Sequence, residues 1–325
     1  MGYFKGWYFK CCTKDKTIAF IPAYHRSKRR QTASLQIITD DAVFSCIGNC
    51  SASPIQLKRS AGMRTRAYKE ECRLRDRARR ESFASETLFH NFPFHSLRYQ
   101  EKPLSVRIGC CSFGQRGIRL NIQKKGLSVQ GALRFRHFSP IQYDIMGIFQ
   151  FVPFMQCRHS VYSMKHRIDG RLVINGTVYD FHKGIGYIEG DCGRSFPKQY
   201  IWTQCCFQRG SLMLSVADIP ILGFHFTGII GVILLNGKEY RIATYLGARV
   251  EKIKDNTVTV RQGDYRLTAK LIKKSGQPLK APVGGRMSRT IHESAACKAH
   301  YHFSYKGVTL CEFTSGRASF EFEYP

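Results

Sequence analysis

Apolar and polar residues alternate with a period of two along most of this chain, the pattern of strands that bury one face. Near the start, segments rich in β-branched and aromatic residues predict strands at 7–12, 17–24 and 34–39. The alternation resumes at Val106 and continues as a long antiparallel meander over 165–325. Three dipeptides favour tight hairpin turns: Asp169-Gly170, Asn175-Gly176 and Asn236-Gly237. Many short strands with frequent turns predict an all-β barrel or sandwich.

Residues 44–104 interrupt this pattern. Between Pro54 and Ser82 the chain has little alternation and many basic side chains, among them Arg64, Arg66, Arg73, Arg75, Arg77, Arg79 and Arg80. An exposed helix, a disordered basic insert and sequence foreign to the rest of the chain all fit this composition. We expect a basic, irregular and poorly packed insertion in the first half.

The stretch from Gly184 to Cys206 combines carboxylates with aromatic side chains. On a strand, Glu189 and Asp191 share one face about 6.6 Å apart, because each residue advances roughly 3.3 Å. On the next strand, Tyr200, Trp202 and Gln204 also share a face. A turn at Gly193 and Pro197 would join the two strands. The alternative is a surface hairpin whose carboxylates pair with Arg194 and Lys198.

Three further polar residues are candidates for acid–base chemistry. His159 follows an aromatic and apolar segment at 139–155, and imidazole titrates near neutral pH. A structural histidine bonded to backbone fits the same position. His292 and Glu293 could supply another acid or base. No metal site is predicted, because no His-Glu-x-x-His motif follows.

The spacing Gly-Tyr-x-Glu-x-Asp-x-Gly-x-x-Phe-Pro-x-x-Tyr-x-Trp-x-Gln at 186–204, together with Gly-Trp-Tyr-Phe-Lys at 6–10, resembles the tocopherol cyclase family. It is more distantly similar to the carotenoid hydratases built on paired lipocalin-like barrels. The resemblance covers about 1–43 and 105–325. Plant cyclases tend to have Asn and Trp where this chain has Asp191 and Cys192.

The resemblance implies two lipocalin-like β domains, 1–155 and 156–325, with 139–155 crossing between them. It implies protonation of a prenyl double bond and capture of the resulting cation by a phenolic oxygen, with neither cofactor nor metal. Asp191 or Glu189 would donate the proton, and Gln204 or His159 would hold the phenol. The expected substrate-binding residues are Trp7, Tyr8, Tyr187, Phe196, Tyr200, Trp202 and Gln204.

Two other functions stay open at this stage. If the cavity admits water, the cation yields an alcohol and the protein is an isoprenoid hydratase. If the carboxylates serve only structure, it is a lipocalin-like carrier of isoprenoid or quinone lipids.

Composition sets the expected partners and compartment. Lys plus Arg exceed Asp plus Glu by 51 to 23, a net charge of +28, which attracts anionic surfaces. No nucleic-acid-binding motif accompanies this charge, so we expect a hydrophobic prenylated ligand, peripheral contact with an anionic membrane and no obligate protein partner. The 13 cysteines include adjacent pairs without metal spacing and are expected to be reduced. With no signal-peptide pattern, a cytoplasmic location is predicted.

Overall fold

The structure is a computed structural model that describes residues 2–27, 31–40, 43–46, 92–93, 97–124, 126–153, 155–221, 224–273 and 276–324. It confirms an all-β, lipocalin-like fold with two large antiparallel sheets. None of the described helices is long and apolar enough to cross a membrane.

The first sheet contains thirteen strands. They are β1 (Tyr3–Cys12), β2 (Thr17–Arg26), β3 (Gln31–Thr39), β4 (Val43–Cys46), β5 (Phe92–Pro93), β6 (Leu97–Glu101), β7 (Leu104–Ile108), β8 (Cys111–Gly114), β9 (Gly117–Lys124), β10 (Leu127–Arg136), β11 (Cys157–Ile174), β12 (Thr177–Asp180) and β13 (Gly184–Gly193). Their order is β4-β3-β2-β1-β13-β11-β10-β9-β8-β7-β6, with β5 beside β3 and β12 beside β11. The early strand predictions are confirmed.

The second sheet contains ten strands. They are β14 (Tyr200–Phe207), β15 (Gly210–Ile221), β16 (Phe224–Leu235), β17 (Lys238–Ala243), β18 (Arg249–Lys254), β19 (Thr257–Gln262), β20 (Tyr265–Lys273), β21 (Gln277–Val283), β22 (Arg286–Tyr305) and β23 (Val308–Phe322). Their order is β17-β16-β15-β14-β23-β22-β20-β19-β18, with β21 beside β22. In the described part of the chain, two short 3-10 helices, Gly147–Phe151 and Thr244–Leu246, lie in connections.

Strand alternation divides the apolar side chains among three buried clusters. On β1, Trp7 and Phe9 face a core formed only by the first sheet, whereas Tyr8 faces the second sheet. On β14, Ile201 faces a core formed only by the second sheet, and Trp202 faces the first. Each fully buried side chain of this size contributes about 1.5–3 kcal/mol. Both sheets are therefore filled on one side, and their other sides meet in a third cluster.

The sequence predicts two domains, 1–155 and 156–325, but the chain passes from the first sheet to the second at a later point. Strands β11 to β13 hydrogen-bond into the first sheet, so the chain changes sheets between Gly193 and Tyr200. The segment 139–155 is consequently not a crossover, because it joins β10 and β11 of one sheet. The turn predicted at Gly193 and Pro197 likewise makes no hairpin, since β13 and β14 belong to different sheets.

One of the three predicted hairpin turns is wrong. Asn175-Gly176 and Asn236-Gly237 do turn the chain with positive φ angles. Asp169-Gly170 instead lies inside β11, with Gly170 paired to Leu133. A Cβ at Gly170 would lie 2.3 Å from the Ala132 carbonyl oxygen, so this glycine permits close approach of two strands.

The basic insertion is shorter than predicted. Strands β4, β5 and β6 and the start of β7 all fall within 44–104, or overlap its ends, and are hydrogen-bonded into the first sheet. The arginine-rich stretch between Pro54 and Ser82 lies outside the described residues.

Candidate active site

A cavity lies where the two sheets face each other. Its volume, taken as the space open to the centre of a water-sized sphere, is about 150 Å³. Side chains of β1, β11 and β13 line it from the first sheet, and side chains of β14, β22 and β23 line it from the second. Met146 and Phe149, from the connection between β10 and β11, also contribute to its wall. The cavity is thus between the sheets rather than within either one's own core.

The first sheet contributes a histidine held between two carboxylates. His159 on β11 is directly opposite Asp191 on β13, so their side chains share a face of the sheet. His159 Nδ1 lies 2.9 Å from Asp191 Oδ1, and His159 Nε2 lies 3.1 Å from Glu189 Oε2. Glu189 and Asp191 face the same way, as the strand alternation predicted.

Glu189 accepts several contacts on one oxygen. Its Oε2 accepts hydrogen bonds from the Tyr187 hydroxyl at 2.5 Å and from Trp202 Nε1 at 3.2 Å. His159 Nε2 makes a third contact with this oxygen. This contact is electrostatic, because its geometry is not that of a hydrogen bond. Because Trp202 belongs to the second sheet, this oxygen also joins the two sheets. Because donors surround this oxygen, it acts as a hydrogen-bond acceptor, and Glu189 is poorly placed to donate a proton to a substrate.

His159 is best described as an imidazolium ion. Burial alone would lower its pKa, but the charges of Glu189 and Asp191 raise the pKa well above its usual value. Both ring nitrogens face carboxylate oxygens, an arrangement that an N–H on each nitrogen stabilises. The cluster is therefore a cation held between two anions.

These three side chains also place potential metal ligands within 4.8 Å of one another. A metal ion there would need a neutral imidazole with a free lone pair. With both nitrogens of His159 directed at carboxylates, the present arrangement suits a proton better than a metal. The expectation that no metal takes part stays a prediction.

The second sheet contributes two carboxyl groups of a different character. Glu293 on β22 and Glu321 on β23 are both buried and both line the cavity. Burial raises the pKa of Glu293 to about 8, repulsion from Glu189 adds to this, and Tyr8 and Lys10 oppose it. Burial and then the nearby Glu293 raise the pKa of Glu321 well above its usual value. Both groups are therefore neutral acids at neutral pH.

The partners of these two acids differ. Glu321 accepts a short hydrogen bond from the Tyr200 hydroxyl. Glu293 Oε1 is buried and has no hydrogen-bond partner within the described part of the chain. Tyr8 lies beside it, with its hydroxyl 3.1 Å from Ser319 Oγ. Glu293 is thus a protonated acid with one oxygen unused.

Aromatic rings complete the wall around these polar groups. Tyr8 packs edge-on against Trp202 with ring centroids 5.4 Å apart. Phe196 contacts Phe4 at 5.4 Å and Tyr200 at 6.0 Å, again edge-on. Such rings present electron-rich faces that attract a cation.

A second polar group lies on the cavity wall contributed by β2 and β3. Burial lowers the pKa of His25 to about 4, so its ring is neutral. Its Nε2 is 2.9 Å from Ser34 Oγ, while its Nδ1 is buried without a partner in the described chain. The cavity therefore offers a neutral hydrogen-bonding group apart from the acids.

Most of the residues selected from the sequence meet at this cavity. Those that line it are Asp191, Glu189, His159, Tyr8, Phe196, Tyr200 and Trp202, and Trp7 borders it although its ring packs in the first sheet's own core. Tyr187 acts behind the wall, through its hydrogen bond to Glu189. Gln204 is fully buried elsewhere, accepting a hydrogen bond from Lys10 Nζ at 3.1 Å and donating to Cys206 Sγ at 3.3 Å. With these partners it is not available to hold a ligand.

The surface-hairpin alternative for Glu189 and Asp191 does not occur. Glu189 is only 4% exposed, and its partners are Tyr187, Trp202 and His159 rather than Arg194 or Lys198. Sequence reasoning named Glu293 only as a candidate and missed Glu321. The sequence did contain a signal for Glu321. Phe320 and Phe322 flank it and face the second sheet's own core, so strand alternation places this acid on the opposite face of β23.

Comparison with known proteins supports the fold. No model of a protein family matches this sequence, and no curated protein matches it as a sequence relative. The crystal structure of CghA with Sch210972 is similar, with a TM-score of 0.58 at 9% identity over 98% of this chain and 88% of that one. Kievitone hydratase from Nectria haematococca has a TM-score of 0.48 at 10% identity over 99% and 88% of the two chains. The likeness to CghA shows a shared fold.

Proposed function

We propose that this protein is an acid–base enzyme of the cyclase and hydratase type, acting on a hydrophobic molecule with a carbon–carbon double bond. In its specific form the proposal is a tocopherol cyclase-like ring closure, from a prenylated hydroquinone to a chromanol. The observation that carries it is Glu293, a protonated carboxylic acid with an unused oxygen in an aromatic cavity. Protonating an alkene needs an acid kept neutral by burial.

Glu293 would transfer its proton to the less substituted carbon of the double bond, leaving a tertiary carbocation. The phenolic oxygen of the same molecule then attacks the cation and forms the C–O bond. Its proton leaves to the carboxylate of Asp191, whose side chain is 24% exposed and is the most accessible of its cluster. Return of a proton to Glu293 completes the cycle, so the reaction is an isomerisation.

The surroundings suit a short-lived cation. Trp202 and Tyr8 line the cavity, Tyr8 lies beside Glu293, and cation–π attraction is worth about 2 kcal/mol or more in a desolvated site. The ionised cluster of His159, Glu189 and Asp191 faces the same cavity. Exclusion of water favours capture by the internal oxygen.

Hydration is the second candidate, and the accessibility of Asp191 favours it. Water that reaches this carboxylate through the mouth could attack the same cation, with Asp191 accepting its proton. The product would then be a tertiary alcohol rather than a ring.

The test has two stages. Lipid bound to the purified protein is first extracted and identified by mass spectrometry, which defines the candidate substrate. That lipid and a prenylhydroquinone are then incubated with the protein in deuterated, oxygen-18-labelled water. A cyclised product with deuterium and without oxygen-18 supports the cyclase, and oxygen-18 in an alcohol supports the hydratase. Tight binding with neither conversion nor deuterium uptake would overturn both and leave a carrier.

A further inference from the structure

The outer face of the first sheet carries a row of arginines away from the cavity. Strand register places one line of directly paired positions across six neighbouring strands: Arg98, Arg107, Ser112, Arg119, Ala132 and Arg171. With strands about 4.8 Å apart, this line runs about 24 Å along the sheet. Its members alternate with Val106, Ile118 and Leu133 of the buried core, so they point outward.

A groove forms along this line. Four exposed arginines, Arg107, Arg116, Arg119 and Arg134, border it and are called the arginine face below. Its floor includes Gly117, Ala132 and Gly170. A Cβ at Gly117 would lie 1.9 Å from the Leu133 carbonyl oxygen, so tight strand packing keeps the floor free of side chains.

The acids on this surface are already engaged. Asp169 is opposite Arg134 in register, yet it lies 3.3 Å from Arg136 Nε and accepts from the Lys183 amide at 3.2 Å. Asp180 lies 3.1 Å from Arg171. Within the described chain, no carboxylate pairs with any member of the arginine face. Like charges on neighbouring strands destabilise the sheet, and an anionic ligand would relieve that repulsion.

We propose that the arginine face binds the phosphate groups of an anionic lipid bilayer. Arginine presents a planar fork of donors that matches phosphate, and each basic residue near such a surface adds to the attraction. The line extends over many strands, which suits an array of headgroups better than one phosphate. It contains no aromatic side chain on which a base could stack, which argues against single-stranded nucleic acid. This proposal does not depend on the reaction proposed above.

The experiment is vesicle co-sedimentation of the full chain with phosphatidylcholine vesicles, with and without phosphatidylserine. The test variant is Arg107→Gln/Arg119→Gln/Arg134→Gln. The control is Arg249→Gln/Lys252→Gln/Lys254→Gln, which removes the same charge from exposed positions on β18. Circular dichroism establishes that both variants are folded. We expect the test variant to bind phosphatidylserine vesicles about tenfold or more weakly, with the control within about twofold of the parent.

Equal losses in both variants would overturn the proposal, because net charge alone would then explain binding. No loss in the test variant would overturn it too. A single-stranded RNA added in the same buffer provides the third outcome. If the test variant loses more affinity for RNA than for vesicles, the arginine face is a nucleic-acid surface and the lipid proposal is wrong.

Discussion

The two sheets contribute carboxyl groups to one cavity, and their surroundings make those groups chemically opposite. In the first sheet, His159 lies between Glu189 and Asp191, and further donors converge on Glu189. In the second sheet, burial raises the pKa of both Glu293 and Glu321, and at Glu293 it outweighs the opposing effects of Tyr8 and Lys10. One half of the site is an ion cluster that accepts protons, and the other is a pair of neutral acids that can donate them.

The difference shows that the neighbouring side chains, rather than the residue type, determine which carboxyl groups donate a proton and which accept one. Four carboxyl groups around one apolar cavity cannot all be ionised, since each added negative charge raises the pKa of the next. His159 compensates two of them and leaves the other two protonated. An enzyme that protonates an alkene needs both kinds of group in one site.

The largest expected effect comes from removing the donor. Glu293→Gln keeps the shape and burial of the side chain but has no proton to transfer. We expect the turnover of the substrate identified by extraction to fall by about 10²–10⁴-fold, the usual contribution of a general acid. Initial rates measure this, and ligand titration should give an affinity within a few fold of the parent.

The matched control is Glu312→Gln, an exposed glutamate of the same sheet that is not among the residues lining the cavity and that pairs with His300. Its turnover should equal that of the parent. If Glu293→Gln were as active as Glu312→Gln, the division of roles between the sheets would fail.

Next in size is the loss of the cation from the first sheet. His159→Gln leaves Glu189 and Asp191 facing each other without compensation, and breaking a buried ion pair costs about 3–5 kcal/mol. Urea denaturation should show a corresponding drop in the free energy of unfolding. The exposed His182→Gln should change it by no more than about 0.5 kcal/mol. Equal stability of both variants would mean that His159 is not charged.

The pH dependence of stability sharpens the comparison further. Because the pKa of Glu293 rises from 4.5 to about 8 on folding, the folded protein binds more protons between these values. The stabilisation is complete below about pH 4.5 and is lost as the pH rises through about 8. In Glu293→Gln the free energy of unfolding should therefore fall less steeply with rising pH over this range. Glu321 accounts for the slope that remains. An unchanged slope would contradict the raised pKa.

The smallest expected effect comes from removing the hydrogen bond between Trp202 and Glu189, which joins the two sheets. Trp202→Phe removes the donor to Glu189 while keeping an aromatic ring, and a hydrogen bond to a charged group is worth about 1.5–3 kcal/mol. A double-mutant cycle with Glu189→Ala, which removes the acceptor, isolates this term from changes in packing. A coupling energy near zero would show that Trp202 does not hold Glu189.

Strand alternation predicted the faces of this site but not its partners. Glu189 with Asp191, and Tyr200 with Trp202, share faces because a strand has a strict period of two. The same pattern could not show that their strands belong to different sheets, since Gly193 and Pro197 fit a hairpin turn equally well. It also could not show that Gly170 serves close strand packing rather than a turn, because both need a glycine.

The sequence could not show which glutamate is the protonated acid, for a different reason. Glu189 and Glu293 are the same residue type on similar strands, and only contacts between residues far apart in sequence distinguish them. His159 reaches Glu189 across a strand pair, whereas among the described residues Lys10 is the cation that acts on Glu293, and burial outweighs it. Protonation is set by these tertiary neighbours, which no local spacing encodes.

The central claim is that a neutral carboxylic acid faces the cavity at neutral pH, and carbon-13 NMR of glutamate-labelled protein tests it without any substrate. The side-chain carboxyl resonances are titrated from acid to alkaline pH in the parent and in Glu293→Gln. We predict two resonances that are still protonated at pH 7, from Glu293 and Glu321, and the one that titrates near pH 8 is absent from the variant. If every glutamate titrates below pH 6, the cavity contains no such acid and the proposed chemistry is wrong.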